Sequence, residues 1–275
     1  MCVPWHSWRV FALACAVALT TLRAQAQTYP MPSSAPRTTD AKTMHAQAVG
    51  RAIHERFEIA LDALAHGDWP RAASEFEAVI AYGPKEPQGS TARYDLAIAY
   101  VNLNRLNDAA VQLDAALKLD PNFLAAMANL IAIDVRRGDL RDAREVADRF
   151  VALAPDSARA LYTRGIVALN TGDARTAAAD FGRLLASNPE YAVAHYDLGI
   201  AEVRLGRDSD AEREFTTALQ LAPTYARARV ALGTILLHTG RRSEARIAFA
   251  QAARDAAGDP TLANLAAAMR DAIPQ

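Results

Sequence analysis

Residues able to do acid–base or metal chemistry are present in this chain, but they are scattered. The histidines are His6, His45, His54, His66, His195 and His238. No two stand four apart, and His54-Glu55 is followed by no second histidine at the spacing of a helical zinc site. There is no phosphate-cradling loop, dinucleotide fingerprint or nucleophile elbow. What recurs instead is binding chemistry at intervals of 34 residues or twice that. Tyr94, Tyr162 and Tyr196 share one column with Ala128 and Val230. Asn102, Arg136, Asn170, Arg204 and His238 share another, and Ile98, Ala132, Ile166, Ile200 and Thr234 lie between them. Arg159 and Arg227 form a further pair, with Asn129 in an adjoining column. Tyrosine offers a large contact area at low entropic cost. Arginine can hold a carboxylate through two parallel hydrogen bonds, and asparagine can both donate to and accept from a peptide backbone. The expectation is a protein- or peptide-binding surface with no catalytic residue, cofactor or metal.

The elements that position these residues follow from the same period. Pro121, Pro155, Pro189 and Pro223 stand 34 residues apart, and Ala109, Ala143, Ala177 and Ala211 precede them by twelve. Asn104, Gly138, Gly172, Gly206 and Gly240 form one column, matched earlier by Gly67. Glycine or asparagine there can take the left-handed conformation that ends a helix. Each unit therefore reads as helix, turn, helix, proline-marked turn. A period of this size marks stacked supersecondary units that bury their apolar faces only against neighbours.

The units resemble the tetratricopeptide repeat family. Leu198-Gly199 and Leu232-Gly233 match its leucine-glycine pair; Leu96-Ala97 with Tyr100 matches it with alanine for glycine; Ala211, Phe215, Ala218 and Pro223 match its second helix. The resemblance implies an all-α, right-handed superhelical solenoid of helix-turn-helix repeats at about 53–86, 90–123, 124–157, 158–191, 192–225 and 226–259. A capping helix at about 260–273 follows, with Asp259 as N-cap, Pro260 in the first turn, and Leu262, Leu265, Ala266 and Met269 on one apolar face. Small residues at Ala97, Gly165, Gly199 and Gly233 let paired helices approach, and Phe76, Phe181, Phe215 and Phe249 fill the space between hairpins. In the third repeat Ala147 takes the aromatic column, and Phe150 restores the aromatic three residues on. Asp134 and Glu202 stand in the Tyr100 column and Arg164 in a leucine column; partial exposure with snorkelling stems is expected for them.

In such a superhelix the first helix of each hairpin lines the concave face. The resemblance thus places Tyr94, Asn102, Asn129, Arg136, Arg159, Tyr162, Asn170, Tyr196, Arg204 and Arg227 there as candidate partner-binding residues, although the tyrosines could equally pack between hairpins. Some family members grip a C-terminal carboxylate with lysines, arginines and asparagines. Here Tyr94 and Ile98 replace the first lysine and asparagine, and only Asn129 and Arg159 match, so that activity is not expected.

Residues 1–26 read as a secretory signal. Arg9 precedes an apolar run from Val10 to Leu22, and Ala24-Gln25-Ala26 offers a small-x-small cleavage site. The run is too short to span a bilayer comfortably, so no stable membrane span is expected after cleavage. Cleavage would remove both cysteines, Cys2 and Cys15, and shift the formal net charge from −1 to −3. No basic field would then attract nucleic acid. Residues 27–44 are rich in proline and small polar residues and read as a flexible tether, with the solenoid occupying 45–275. The functional expectation is a periplasmic or secreted scaffold holding a partner segment in its groove. A structural spacer or self-assembling envelope component is the alternative, and both monomer and oligomer stay open.

Overall fold

The computed structural model describes residues 41–274. The expected signal segment and most of the expected tether lie outside them. Thirteen helices occupy the described residues, with no strand among them. They are α1 (Ala41–Ala65), α2 (Trp69–Ala81), α3 (Gln88–Asn102), α4 (Leu106–Leu119), α5 (Leu124–Arg137), α6 (Leu140–Leu153) and α7 (Ala158–Thr171). Then follow α8 (Ala174–Ser187), α9 (Ala192–Arg204), α10 (Asp208–Leu221), α11 (Ala226–His238), α12 (Arg242–Asp255) and α13 (Pro260–Asp271). None of the described helices is long and apolar enough to cross a membrane.

Six antiparallel hairpins, α1–α2 to α11–α12, stack in chain order, and α13 covers the last. The odd-numbered helices approach one another from hairpin to hairpin, α5 with α7 and α7 with α9, whereas the even-numbered helices make no comparable contact with each other. Close approach on one side and splay on the other curve the stack, so the odd-numbered helices line its inner face. The hairpin turns close as their residue types dictate. Gly67, Gly138, Gly172, Gly206 and Gly240 have φ between 73° and 84°, and Asn104, the one non-glycine with positive φ among the described residues, has 60°. At Gly138 and Gly172 the left-handed residue is itself the C-cap, and its N–H returns to the last turn of the helix.

Positions sixteen apart, one on each helix of a hairpin, share one register, and in the last three hairpins they meet where the helices cross. In the fourth to sixth hairpins these are Gly165–Phe181, Gly199–Phe215 and Gly233–Phe249; a Cβ on these glycines would lie 2.5–2.8 Å from the ring. The first hairpin has Ala60 against Phe76, the second Ala97 and Leu113, and the third inverts the sizes with Ile131 and Ala147, all buried. The volume lost at Ala147 is thus recovered at Ile131 as well as at the buried Phe150, a compensation that close packing demands.

Three details differ from the sequence expectation. The first helix begins at Ala41, inside the expected tether, so its opening turns run ahead of the hairpin and are exposed over Thr43–Ala48. In α13, Asp259 accepts from the Leu262 N–H at 3.1 Å, but Leu265 is half exposed; Ala266 is buried, and Met269 and Ile273 close the last core around Phe249. Finally, Asp134 and Glu202 are buried rather than snorkelling, each beside an arginine of the following turn: Arg137 at 3.5 Å and Arg207 at 3.1 Å. Arg164 forks onto Asp180 of α8 at 2.7 and 2.8 Å, which satisfies a carboxylate that is otherwise sealed. Burial pushes the Asp134 carboxyl up to about 7, with Arg137 opposing the shift.

Candidate functional site

The inner face is built from columns one helical turn apart, and the fold uses each column differently. The tyrosine column is mostly consumed by packing. Tyr94 is buried, with its ring centre 5.0 Å from that of Phe123, just ahead of α5. Tyr162 is buried between Phe181 at 5.9 Å and Tyr191 at 5.6 Å. Tyr196, half-buried, lies between Phe215 at 5.9 Å and Tyr225 at 5.2 Å. Each of the three therefore meets an aromatic twenty-nine residues on, at the entry to the next inner helix. Where the column holds Ala128, the later position is Ser157, so both aromatics are lost together. The tyrosines are thus principally a seam between hairpins.

The polar candidates divide in two. Some bridge neighbouring hairpins: Arg159 donates to Asn129 Oδ1 at 3.0 Å, Arg136 to Asn104 Oδ1 at 3.2 Å, and Arg204 to the Leu169 carbonyl. Asn102 and Asn170 donate from Nδ2 to the carbonyls of Ile98 and Ile166, one turn back on their own helices, at 2.9 and 2.8 Å. Their amide oxygens are not used in these bonds. Of the ten candidates, Asn102 and Arg204 are the exposed ones; Asn129, Arg136, Arg159, Asn170, Tyr196 and Arg227 are half-buried.

Between the tyrosine and asparagine columns runs the apolar floor. Ile98, Ala132, Ile166 and Ile200 are partly exposed and Thr234 is exposed. This column forms a partly exposed apolar strip along the inner face.

Sequence reasoning did not single out two acidic residues on the same face, Asp95 and Asp197. They share a register column with Asn129 and Thr163, and both are nearly sealed. The Tyr162 hydroxyl donates to Asp197 Oδ2 at 2.9 Å. Burial pushes the Asp197 carboxyl up to about 7, against the opposing pull of the Tyr162 hydrogen bond and the Arg227 charge. Burial, with the Asp197 charge adding to it, also drives the Tyr162 phenol well above its ordinary range and raises Tyr196 to about 12. These phenols stay neutral donors at physiological pH. The signal that could have found the cluster is the spacing: Tyr162 stands thirty-five residues before Asp197 and Arg227 thirty after.

The inner face thus combines a partly exposed apolar column, an amide and guanidinium edge, and buried carboxyls beneath. Family models described as tetratricopeptide repeat match residues 63–132, 130–196 and 209–269. The chain belongs to the tetratricopeptide repeat family. This TPR chain also matches solved structures of the same solenoid class. The crystal structure of MamA protein is 26% identical over 61% of this chain and 91% of its own, with a TM-score of 0.56. TTC0263, a thermophilic TPR protein of Thermus thermophilus, is 24% identical over 66% of this chain and 98% of its own, at 0.55. A chain of the APC/C hetero-tetramer Cut9-Hcn1 follows this TPR chain over 86% of its length at a TM-score of 0.63, but at 16% identity and over 46% of its own length. The last two likenesses show the fold alone. No curated protein sequence matches this TPR chain significantly.

Proposed function

We propose that this TPR protein is an exported scaffold that holds a segment of a partner protein along the inner face of its solenoid. The observation carrying the reading is the continuous, partly exposed column Ile98–Ala132–Ile166–Ile200, edged by Asn102, Asn170 and Arg204. An extended or helical segment would cover the floor, while the amide and guanidinium groups fix its backbone or carboxylates. Export rests on the signal-like residues 1–26 and places the scaffold in a periplasmic or secreted setting. The family supports the general role, because stacked hairpins make an extended curved surface suited to partners rather than to catalysis.

Val111 on α4 and Ile247 on α12, 61% and 68% exposed, favour a second reading in which the outer helices mediate assembly. One experiment separates the two. The purified protein and its Ile166→Lys/Ile200→Lys variant are used to capture partners from envelope extract. A partner held by the native protein and lost by the folded variant supports the groove. Equal capture by both, or mass that grows with concentration and falls on Ile247→Lys, supports the outer surface.

A further inference from the structure

In the inner-face column of Asp95, Asn129, Thr163 and Asp197, Asn129 and Asp197 follow a contact rule, whereas Thr163, with Val193 thirty residues on, turns its hydroxyl to the Arg159 carbonyl of its own helix. Asn129 is met by Arg159, thirty residues on, at 3.0 Å. Asp197 is met by the Tyr162 hydroxyl at 2.9 Å, and Arg227, again thirty residues on, opposes the rise of its carboxyl. Asp95 breaks the rule on both sides. Thirty residues on stands Ala125, which carries no donor. On the preceding hairpin the place of Tyr162 falls to Phe57, three residues further back because the first repeat is three residues longer. The register is fixed by geometry: Phe57 meets Phe76 at 5.5 Å, as Tyr162 meets Phe181 and Tyr196 meets Phe215 at 5.9 Å. Phe57 has no hydroxyl to give.

Asp95 is nevertheless 9% exposed, and among the described residues no hydrogen bond or ion pair reaches it. No described side-chain polar atom is both sealed from solvent and unpartnered. The Asp95 oxygens therefore keep a small solvent-accessible area. No charged neighbour moderates them, and burial alone pushes the carboxyl up to about 7. A carboxylate held this way lacks the arginine that Asn129 and Asp197 have thirty residues on.

We infer that the partner supplies that cation: a lysine or arginine side chain of the bound segment enters over Ala125 and pairs with Asp95, in the place that Arg159 and Arg227 fill further along. The inference rests on the inner face being the binding surface. Entry there costs little backbone rearrangement, because the pairing position already exists in the later repeats, and it sets the register of a basic residue at the N-terminal end of the groove.

A phage-displayed library of random twelve-residue peptides, panned on the protein, tests this. The expected result is a shared lysine or arginine at one position. Synthetic peptides from the selection bind Asp95→Asn and Ala125→Arg at least tenfold more weakly. Norleucine at the basic position costs the same tenfold in the native protein and nothing more in Asp95→Asn. Circular dichroism confirms that both variants fold, and the near-isosteric Asp95→Asn keeps the test valid if Ala125→Arg does not. Peptides without a basic position, or a norleucine penalty undiminished in Asp95→Asn, overturn the inference while leaving the groove intact. Peptides that bind Ile166→Lys/Ile200→Lys as tightly as the native protein overturn both the inference and the groove.

Discussion

The fourth to sixth hairpins and the third solve one packing problem with opposite residue sizes. In the former, a glycine on the inner helix lets a phenylalanine ring lie flush against its backbone. In the third, the bulk sits on the inner helix as Ile131 and the outer helix is cut back to Ala147; the second is intermediate, with Ala97 and Leu113. From the second hairpin to the sixth the crossing holds the sum of the two volumes nearly constant and leaves its division free. The same halves differ on the inner face. Towards the C-terminus a buried carboxyl is held by Tyr162 with Arg227 nearby, whereas towards the N-terminus Asp95 is left open. One frame therefore carries two economies: a core in which every deficit is compensated internally, and a groove in which one deficit is not.

The largest expected effect comes from breaking compensation where it has least slack. Ile131→Ala leaves two alanines facing each other and is expected to cost about 2–4 kcal/mol in urea unfolding. Adding Ala147→Phe should recover a substantial part of that loss, since it recreates the alanine–phenylalanine pairing of Ala60 with Phe76. Absence of any recovery would show that the pairs are not interchangeable between hairpins. Next is Gly199→Ala, whose new Cβ would lie 2.5 Å from the Phe215 ring. A cost of roughly 1–3 kcal/mol is expected from overpacking. Phe215→Leu in the same chain should relieve it, making a copy of the Ala97–Leu113 crossing, and a double-mutant cycle reads the coupling directly.

The period, the turn column and the family were legible in the sequence because they depend on residues whose backbone or size requirements are local and absolute: a left-handed turn at Gly172, a close approach at Gly199. The candidate site was less legible. A residue such as Tyr162 sits on an inner helix yet reaches sideways to Tyr191, so a column named for the groove turned out to be mainly a seam. Its paired loss at Ala128 and Ser157 was a signal for this within the chain. Asp95 escaped notice because its distinction is an absence, namely alanine at 125 and phenylalanine at 57, and an absence becomes visible only once the contacts at Asn129 and Asp197 supply the rule. Arg164, unexpected in a leucine column, is explained by Asp180, sixteen residues on and sealed beneath it.

The groove comparison gives smaller effects. The Asp95 carboxyl is raised to about 7 in the folded chain from an ordinary 3.8. The folded state thus holds its proton more tightly than the unfolded state, and stability falls as pH rises between those values, reaching the full cost above about 7. Asp95→Asn is expected to stabilise the protein at pH 8 by on the order of 1–2 kcal/mol, with the advantage gone near pH 4. A pH-independent difference would contradict the burial account. The smallest effect expected is that of Tyr162→Phe, about 1 kcal/mol. It removes the hydroxyl from Asp197 and makes that site resemble Asp95, so the Asp197 carboxyl should titrate higher by carbon-detected NMR; an unchanged value would mean that the hydroxyl does not hold it down.

A partner seated on the inner face lies within reach of Ile200 and away from Ile247. A photo-reactive phenylalanine analogue placed at Ile200 on α9, and separately at Ile247 on α12, tests this most directly in cells expressing the full chain. Binding in the groove gives a discrete cross-linked partner from position 200, none from 247, and loss of the product when Ile166→Lys is added. Cross-linking from position 247 alone would contradict it and move the contact to the outer helices.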